Sequence, residues 1–192
     1  MWEDKTNQKA PEAKVVKLTM VIPFLTRMDA TLATLTACEH LALSTNQIEK
    51  ISNLNGLCKV FLGFISANLK ILSLGRNNIK KLEGLDAVAD TLEELWISYN
   101  QLERVNGIEC CKKLQVFYAS NNKIKAWDGI DRLKELPLLN DLLLVGNPLE
   151  EKCTGDGNWR EEISKKFPTL KKLDGKPIIR DDDMEDEEAP AQ

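Results

Sequence analysis

Apolar residues recur along this chain in one repeated pattern, in which three leucines are followed by an asparagine and another apolar residue. The clearest copy is LKILSLGRNNI, at 69–79, and its apolar positions continue to Leu82 and Leu85. Further copies are LEELWISYNQL from 92, LQVFYASNNKI from 114, LNDLLLVGNPL from 139 and, more loosely, CEHLALSTNQI from 38. Five copies at intervals of 22 to 31 residues predict a stack of similar units that share one core.

Each copy predicts a short strand and an apolar return. Alternation along a strand sends Leu72 and Leu74 inward and leaves Ile71 and Ser73 pointing outward. Apolar residues then follow five and eight positions after each of the first four asparagines, as at Trp127 and Ile130, and we assign these to the core. This spacing resembles that of leucine-rich repeats, which implies an α/β solenoid with a parallel β-sheet on one face, helical or irregular returns, and helical caps at both ends.

The asparagine of each copy lies where the chain turns off the sheet. Backbone groups there lose their strand partners, and an unpaired buried group costs about 1–3 kcal/mol. An amide side chain donates and accepts, so stacked asparagines can pair neighbouring turns. We therefore predict a structural ladder formed by Asn46, Asn77, Asn100, Asn122 and Asn147.

The repeat register divides the chain into four parts. Residues 1–37 lie before the register and are predicted to form an N-terminal cap, and 38–149 contain the five repeats. Residues 150–179 are predicted to form a C-terminal cap with a helix whose apolar face carries Trp159, Ile163 and Phe167. The last part, 180–192, is an acidic tail with too little apolar content to pack.

One segment does not fit the register. The first two asparagines are 31 residues apart, and the surplus is CKVFLGFIS, residues 58–66, which we call the insert. An unpacked apolar segment of this kind would favour aggregation. The insert is a helix packed on the convex side, a docking loop, or translated intron sequence, and we favour the last of these.

Composition and charge limit the cellular location and the chemistry that we expect of this chain. Seven of the 30 acidic residues fall within 181–188, so the net charge of −4 belongs to the tail and the rest is near neutral. No apolar run reaches the roughly 20 residues of a membrane helix, and the first residues do not form a signal peptide, so an intracellular protein without membrane contact is expected. The five cysteines lack metal-ligand spacing and are read as reduced thiols.

No catalytic constellation is visible. The single histidine, His40, lies at an outward strand position and is read as a surface residue. Phosphate loops, paired metal ligands and nucleophile motifs are absent from the sequence. We expect neither enzymatic activity nor a bound cofactor or metal.

The outward face of the sheet carries the most information about function. Its central column becomes large and apolar from the third copy onward, with Trp96, Tyr118 and Leu143 on adjacent strands about 4.8 Å apart. Exposed apolar clusters mark binding sites, and Trp and Tyr are frequent at interface hot spots. The predicted partner-binding residues are Ile71, Trp96, Tyr99, Val116, Tyr118, Leu143 and Val145.

Two alternatives compete with a protein-binding face. A cap or the tail could fold over the cluster. Nucleic-acid binding would need a basic stripe, but the face offers only Arg76 and Lys123 near its edge, set against Glu94 and Asp141. We expect a protein partner, no nucleic acid, and a monomer when the chain is isolated.

Long stretches of the sequence resemble a known family. The run LSLGRNNIKKLEGLDAVADTLEELWISYN, together with LALSTNQIEKI and LLLVGNPLEEK, is similar to the leucine-rich-repeat light chains of axonemal outer-arm dynein. The resemblance implies a non-catalytic subunit of the ciliary motor in the cytoplasm, cytoskeleton and axoneme. It also implies that Trp96, Tyr118 and Leu143 bind the dynein heavy chain at its microtubule-binding tip, with tubulin and the microtubule nearby.

Other functional classes remain open at this point. Some short-repeat proteins are regulatory subunits that hold a phosphatase or another enzyme, and others are ribonucleoprotein components. The identity of the partner separates these possibilities from the dynein light chain.

Overall fold

The computed structural model, which describes residues 8–61 and 64–179, places eight short strands side by side in one sheet. A separate pair of strands forms a second, two-stranded sheet. The described strands are β1 (Val15–Lys17), β2 (His40–Ala42), β3 (Cys58–Phe61), β4 (Phe64–Ala67), β5 (Ile71–Ser73), β6 (Glu94–Trp96), β7 (Val116–Tyr118), β8 (Asp141–Leu143), β9 (Lys172–Leu173) and β10 (Lys176–Pro177).

The large sheet is parallel from β1 to β9 and runs in the order β1-β2-β5-β6-β7-β8-β9-β10. Only β10 is antiparallel, pairing with β9 through a tight turn. The middle residue of each repeat strand points inward and is fully buried, a set that comprises Leu41, Leu72, Leu95, Phe117 and Leu142. The predicted solenoid with a parallel sheet on one face is therefore confirmed.

The returns on the other face contain single turns of 3₁₀-helix. They are Ala10–Glu12, Ala30–Thr34, Leu54–Leu57, Asp86–Val88, Ile108–Cys110, Trp127–Gly129 and Asp131–Glu135. The apolar return positions are buried, as Leu82, Val105 and Ile130 show. Trp127 is only partly buried: it stacks on Trp159 with ring centroids 5.9 Å apart.

The sheet begins earlier than the sequence pattern indicated. Strand β1 lies within the predicted N-terminal cap, yet it pairs in parallel register with β2, from Val15 opposite His40 to Lys17 opposite Ala42. The sequence did not reveal this strand because it lacks the repeated leucines. Val16 is the one residue of β1 whose side chain is buried. The 3₁₀-helix at Ala30–Thr34 completes this first turn of the stack.

Two α-helices, α1 (Pro148–Gly155) and α2 (Trp159–Lys166), follow the last repeat. Helix α1 begins at Pro148. Proline lacks a backbone N–H, but the first position of a helix makes no hydrogen bond through this group, so proline fits there. Helix α2 buries Trp159 and Ile163, and Phe167 beyond it is also buried. No helix in 8–61 and 64–179 combines the length and apolar content needed to cross a bilayer. The acidic tail, predicted for 180–192, lies outside the described residues.

The described residues of the insert, 58–61 and 64–66, form neither a helix nor part of the large sheet. Strands β3 and β4 pair with each other as an antiparallel hairpin, with Cys58 opposite Ala67 and Phe61 opposite Phe64. Of the three alternatives for the insert, the convex-side helix is wrong, because the β-branched and aromatic residues of the insert favour strand pairing. Strands β2 and β5 pair directly across this connection, so the hairpin leaves the repeat register intact.

Candidate protein-binding surface

The predicted partner-binding residues lie on the side of the large sheet that faces away from the core. We call these seven residues the outer sheet surface: Ile71, Trp96, Tyr99, Val116, Tyr118, Leu143 and Val145. The strand register places Trp96 opposite Tyr118, and Tyr118 opposite Leu143. The three residues of the central column therefore lie on consecutive strands.

The aromatic residues of the outer sheet surface pack against one another. The rings of Trp96 and Tyr118 are stacked, with centroids 6.1 Å apart and an angle of 22° between their planes. His40 extends the row, since its ring meets Trp96 edge-on at 6.1 Å. A row of three rings thus runs across β2, β6 and β7, past the small Ser73 of β5.

The polar atoms of both large rings are held within the chain. Trp96 Nε1 donates to Glu94 Oε2 at 3.0 Å, and the Tyr118 hydroxyl donates to Asp141 Oδ2 at 2.9 Å. Lys172 Nζ donates to the same oxygen at 3.0 Å. Fixed rings lose little conformational entropy when a partner binds. The two rings are therefore preorganised for binding, and a partner that covers them leaves neither the indole N–H nor the phenol O–H without a hydrogen bond.

Ionisation does not disturb this arrangement near neutral pH. Burial raises the pKa of Tyr118, and the hydrogen bond to the Asp141 carboxylate raises it further, so the hydroxyl stays protonated and donates. Burial also lowers the pKa of His40, and the nearby Lys17 lowers it as well, against an opposing effect of Glu94. His40 is therefore neutral where it meets Trp96.

Exposure varies across the outer sheet surface. Trp96, Tyr118 and Leu143 are intermediate in burial, because neighbouring side chains cover part of each one. Tyr99 and Val145 are more exposed, at 48% and 44%. The described parts of the caps therefore leave this end of the face open.

The position of Tyr99 follows from its backbone. Tyr99 has a φ of +58°, in the left-handed region, at the turn immediately before the ladder residue Asn100. This directs its ring to the edge of the sheet, where the guanidinium of Arg76 lies 4.4 Å from the ring centroid. Arg76 occupies the equivalent turn of the preceding repeat, with a φ of +55°. Such a contact is typical of a cation–π interaction.

Sequence reasoning missed the polar residues that support the aromatic pair. The sequence identified Glu94 and Asp141 only as charges that oppose nucleic-acid binding, and it gave Lys172 no role on this face. All three contact the aromatic pair or its carboxylate anchor. The alternation of strand positions places Glu94 and Asp141 on this face, but the choice of hydrogen-bond partner depends on side-chain conformations that no spacing reveals.

The side chains of the five repeat asparagines form hydrogen bonds that link each turn of the stack to the preceding one. Each side-chain Oδ1 accepts from a backbone N–H of the preceding turn of the stack, at 2.9 to 3.2 Å. Each Nδ2 donates to a carbonyl of its own repeat and to one of the preceding turn. The members are Asn46, Asn77, Asn100, Asn122 and Asn147, all of them buried.

Three of the four described cysteine side chains are buried, and the fourth is partly buried. Cys38, Cys110, Cys111 and Cys153 are free thiols, and the side chain of Cys58 lies outside the description. Burial raises the pKa of each of these four thiols, which disfavours the reactive thiolate. Among the described residues, no group of three or more metal-ligating side chains is found.

The repeated strand and the asparagine series together define a leucine-rich-repeat protein. A family model described as Leucine Rich repeats (2 copies) matches residues 90–132. Among solved structures, the Drosophila melanogaster SNF/U2A′ complex contains a chain with a TM-score of 0.63 at 22% identity, covering 85% of this chain and 92% of that one. That likeness shows the fold alone.

Sequence comparison narrows the class to one family. The bovine (Bos taurus) protein named Dynein axonemal light chain 1 is 58% identical over 185 residues, which cover 96% of this chain and 93% of the bovine one. Its namesake from the alga Chlamydomonas reinhardtii is 54% identical, with 95% and 89% covered. The chain belongs to the dynein axonemal light chain 1 family.

Proposed function

We propose that this chain is a non-catalytic light chain of ciliary and flagellar outer-arm dynein that binds the dynein heavy chain through the outer sheet surface. The stacked pair of Trp96 and Tyr118, fixed by Glu94 and Asp141, carries this proposal. The site of attachment on the heavy chain is its microtubule-binding tip, and binding there tunes the motor. The chain acts in the axoneme, as part of the cytoplasmic cytoskeleton.

The chemistry of the surface favours a folded protein partner. Rigid aromatic rings beside aliphatic side chains fill pockets or cover an apolar helix face, and they contribute most of the energy at protein interfaces. Nucleic acid would need cations along the same face. Here the anchoring groups beside the rings are the carboxylates of Glu94 and Asp141. The apolar character and the local charge therefore both favour protein.

A direct contact with tubulin has less support from the structure. Tubulin has an acidic surface, and the adjacent lysines of this chain at 112–113, 165–166 and 171–172 could approach it, but one lysine of each pair is engaged within the molecule. Lys165 pairs with Glu161, Lys172 pairs with Asp141, and Lys112 donates to a backbone carbonyl. Our proposal therefore assigns binding to the heavy chain and no residue to tubulin.

The partner can be tested with purified components. The full chain is mixed in separate experiments with a recombinant microtubule-binding tip of an outer-arm heavy chain and with a protein phosphatase catalytic subunit, and complexes are detected by size-exclusion chromatography with light scattering. We expect a one-to-one complex with the tip and none with the phosphatase. A complex with the phosphatase and none with the tip would replace the proposal with the enzyme-regulatory alternative.

A further inference from the structure

The side chain of Arg76 contacts a ring of the outer sheet surface and has no acidic partner within the described part of the chain. Its Cζ atom lies 4.4 Å from the centroid of the Tyr99 ring. No carboxylate among residues 8–61 and 64–179 lies within salt-bridge distance of its guanidinium. Arg76 is exposed, and Tyr99 is 48% exposed. A partner protein can therefore reach both side chains.

The backbone places these two side chains next to each other. Each repeat has a residue with a left-handed φ immediately before its ladder asparagine, and the five residues are Thr45, Arg76, Tyr99, Asn121 and Gly146. Three of the five have short side chains or none, which cannot extend over the neighbouring turn. Arg76 and Tyr99 have long side chains and belong to consecutive repeats. Their contact therefore follows directly from the stacking of the turns.

The turns at this edge of the sheet carry positive charge only. They are the segments 44–47, 75–78, 98–101, 120–123 and 145–148, which contain two cations, Arg76 and Lys123, and no aspartate or glutamate. Lys123 Nζ donates to Gln101 Oε1 at 3.4 Å. This amide oxygen is neutral, so the charge of Lys123 is not cancelled by the contact. A partner is therefore favoured if it carries negative charge on the side that faces these turns.

We infer that Arg76 recognises an aspartate or a glutamate of the heavy-chain tip. The inference rests on the proposed function and adds the chemistry of a residue that the partner must present. A guanidinium offers planar N–H donors that match the two oxygens of a carboxylate. Contact with the Tyr99 ring restricts the Arg76 side chain before binding, which reduces the entropy lost when the partner binds.

Arg76 also lies close enough to the aromatic pair for one partner segment to contact both. It follows Ser73 by three residues, and Ser73 is the strand partner of Trp96. Three residues span at most about 10 Å of extended chain. The acidic residue of the partner and the apolar residues that pack on Trp96 can therefore belong to the same segment.

A simpler role for Arg76 would be to support the Tyr99 ring by packing, and three variants separate the two roles. Arg76→Gln removes the charge, Arg76→Lys keeps the charge without the planar group, and Arg76→Glu reverses the charge. Packing depends on the size of the side chain, so it predicts similar losses of affinity for Arg76→Gln and Arg76→Glu. Recognition of a carboxylate predicts that Arg76→Lys loses least and Arg76→Glu loses most.

The test measures the dissociation constant of the full chain for the recombinant heavy-chain tip by isothermal titration calorimetry, at low and high salt. We expect Arg76→Gln to weaken binding about tenfold and to reduce its salt dependence. Arg76→Lys should weaken it about threefold, and Arg76→Glu about 100-fold at low salt. The matched control is Arg104→Gln, since Arg104 is an exposed arginine on a return segment, paired with Asp128, and this variant should bind like the parent chain.

A charge exchange then identifies the residue of the partner. The acidic residues of the tip are replaced by lysine one at a time, and one replacement should restore about tenfold of the affinity that Arg76→Glu loses. A thermal melt of each variant separates a loss of binding from a loss of folding.

Each result has a distinct meaning. Binding by Arg76→Gln within about twofold of the parent, or equal losses for Arg76→Gln and Arg76→Glu, overturns the inference and leaves the proposed function standing. The same holds if no replacement in the tip restores affinity to Arg76→Glu. Absence of binding by the unaltered chain overturns the proposed function and this inference with it.

Discussion

At the scale of single residues, Asn100 shows how a buried amide holds two repeats together. Its Oδ1 accepts from the backbone N–H of Ile79 at 2.9 Å, and its Nδ2 donates to the carbonyls of Leu74 and Ile97 at 3.0 Å. Two of these groups belong to the preceding repeat and one to its own. The side chain therefore fixes the turn and the stacking of neighbouring turns at once.

Replacement of this amide should destabilise the fold strongly. We predict that Asn100→Ala lowers the free energy of unfolding by about 3 kcal/mol. The buried N–H of Ile79 loses its acceptor, and the carbonyls of Leu74 and Ile97 each lose one of their two amide donors. Denaturant unfolding of the purified chain measures the change. Asn106→Ala is the control, since Asn106 is exposed, and it should change stability by less than about 0.5 kcal/mol. A similarly small effect of Asn100→Ala would contradict the structural role of the series.

The sequence predicted the placement of the candidate site better than its internal contacts. Strand alternation correctly directed Trp96, Tyr118 and Leu143 to the outer side of the sheet, because the period of a strand is two residues whatever its neighbours are. It did not predict that Glu94 and Asp141 anchor the two rings. Those hydrogen bonds depend on rotamers and on cross-strand neighbours, which a one-dimensional pattern does not contain.

At the scale of elements, the regular repeats were predictable and the two irregular segments were not. Strands β5 to β8 carry the full pattern of leucines, and their register follows directly from it. Strand β1 carries a single deeply buried residue, Val16, and joins the sheet through backbone pairing that needs no leucine pattern. The insert has no repeat signal, so its length was visible in the sequence but its hairpin was not.

The hairpin formed by the insert should be dispensable for the fold. Cys58 and Ala67 are opposite each other in the β3–β4 pair, so deleting 58–66 joins Leu57 to a residue that already lies one strand spacing, about 5 Å, from the start of the insert. We predict that the shortened chain keeps its circular dichroism spectrum and melts within about 5 °C of the parent. Loss of the cooperative transition would show that the hairpin is an integral part of the stack.

At the scale of the whole molecule, the buried thiols and Tyr118 make stability depend on alkaline pH. Burial raises the pKa of Cys38 to about 11 from 9.0, and it also raises the pKa values of Cys111 and Tyr118. The folded state therefore holds these protons more tightly than the unfolded chain does. For Cys38 this contribution to stability is complete below about pH 9 and is lost as the pH rises through 11.

This linkage can be measured as a slope. We predict that the free energy of unfolding of the parent chain falls by about 2 kcal/mol or more between pH 9 and 11. The fall should be smaller for Cys38→Ala, whatever the effect of that substitution on stability at neutral pH. Chemical unfolding at a series of pH values gives both curves. Equal slopes for the two chains would show that Cys38 does not titrate as its burial implies.

The described part of the chain presents the outer sheet surface on its stack of repeats, and we propose that a dynein heavy chain binds there. The most direct test is the affinity of Trp96→Ala for the heavy-chain tip by calorimetry, with Leu138→Ala, an exposed apolar residue outside the outer sheet surface, as the control. We predict that Trp96→Ala weakens binding by about 2 kcal/mol or more with little change in melting temperature, while Leu138→Ala binds like the parent. Unchanged affinity of Trp96→Ala together with a large fall in its melting temperature would contradict the claim, because Trp96 would then serve the fold and not the partner.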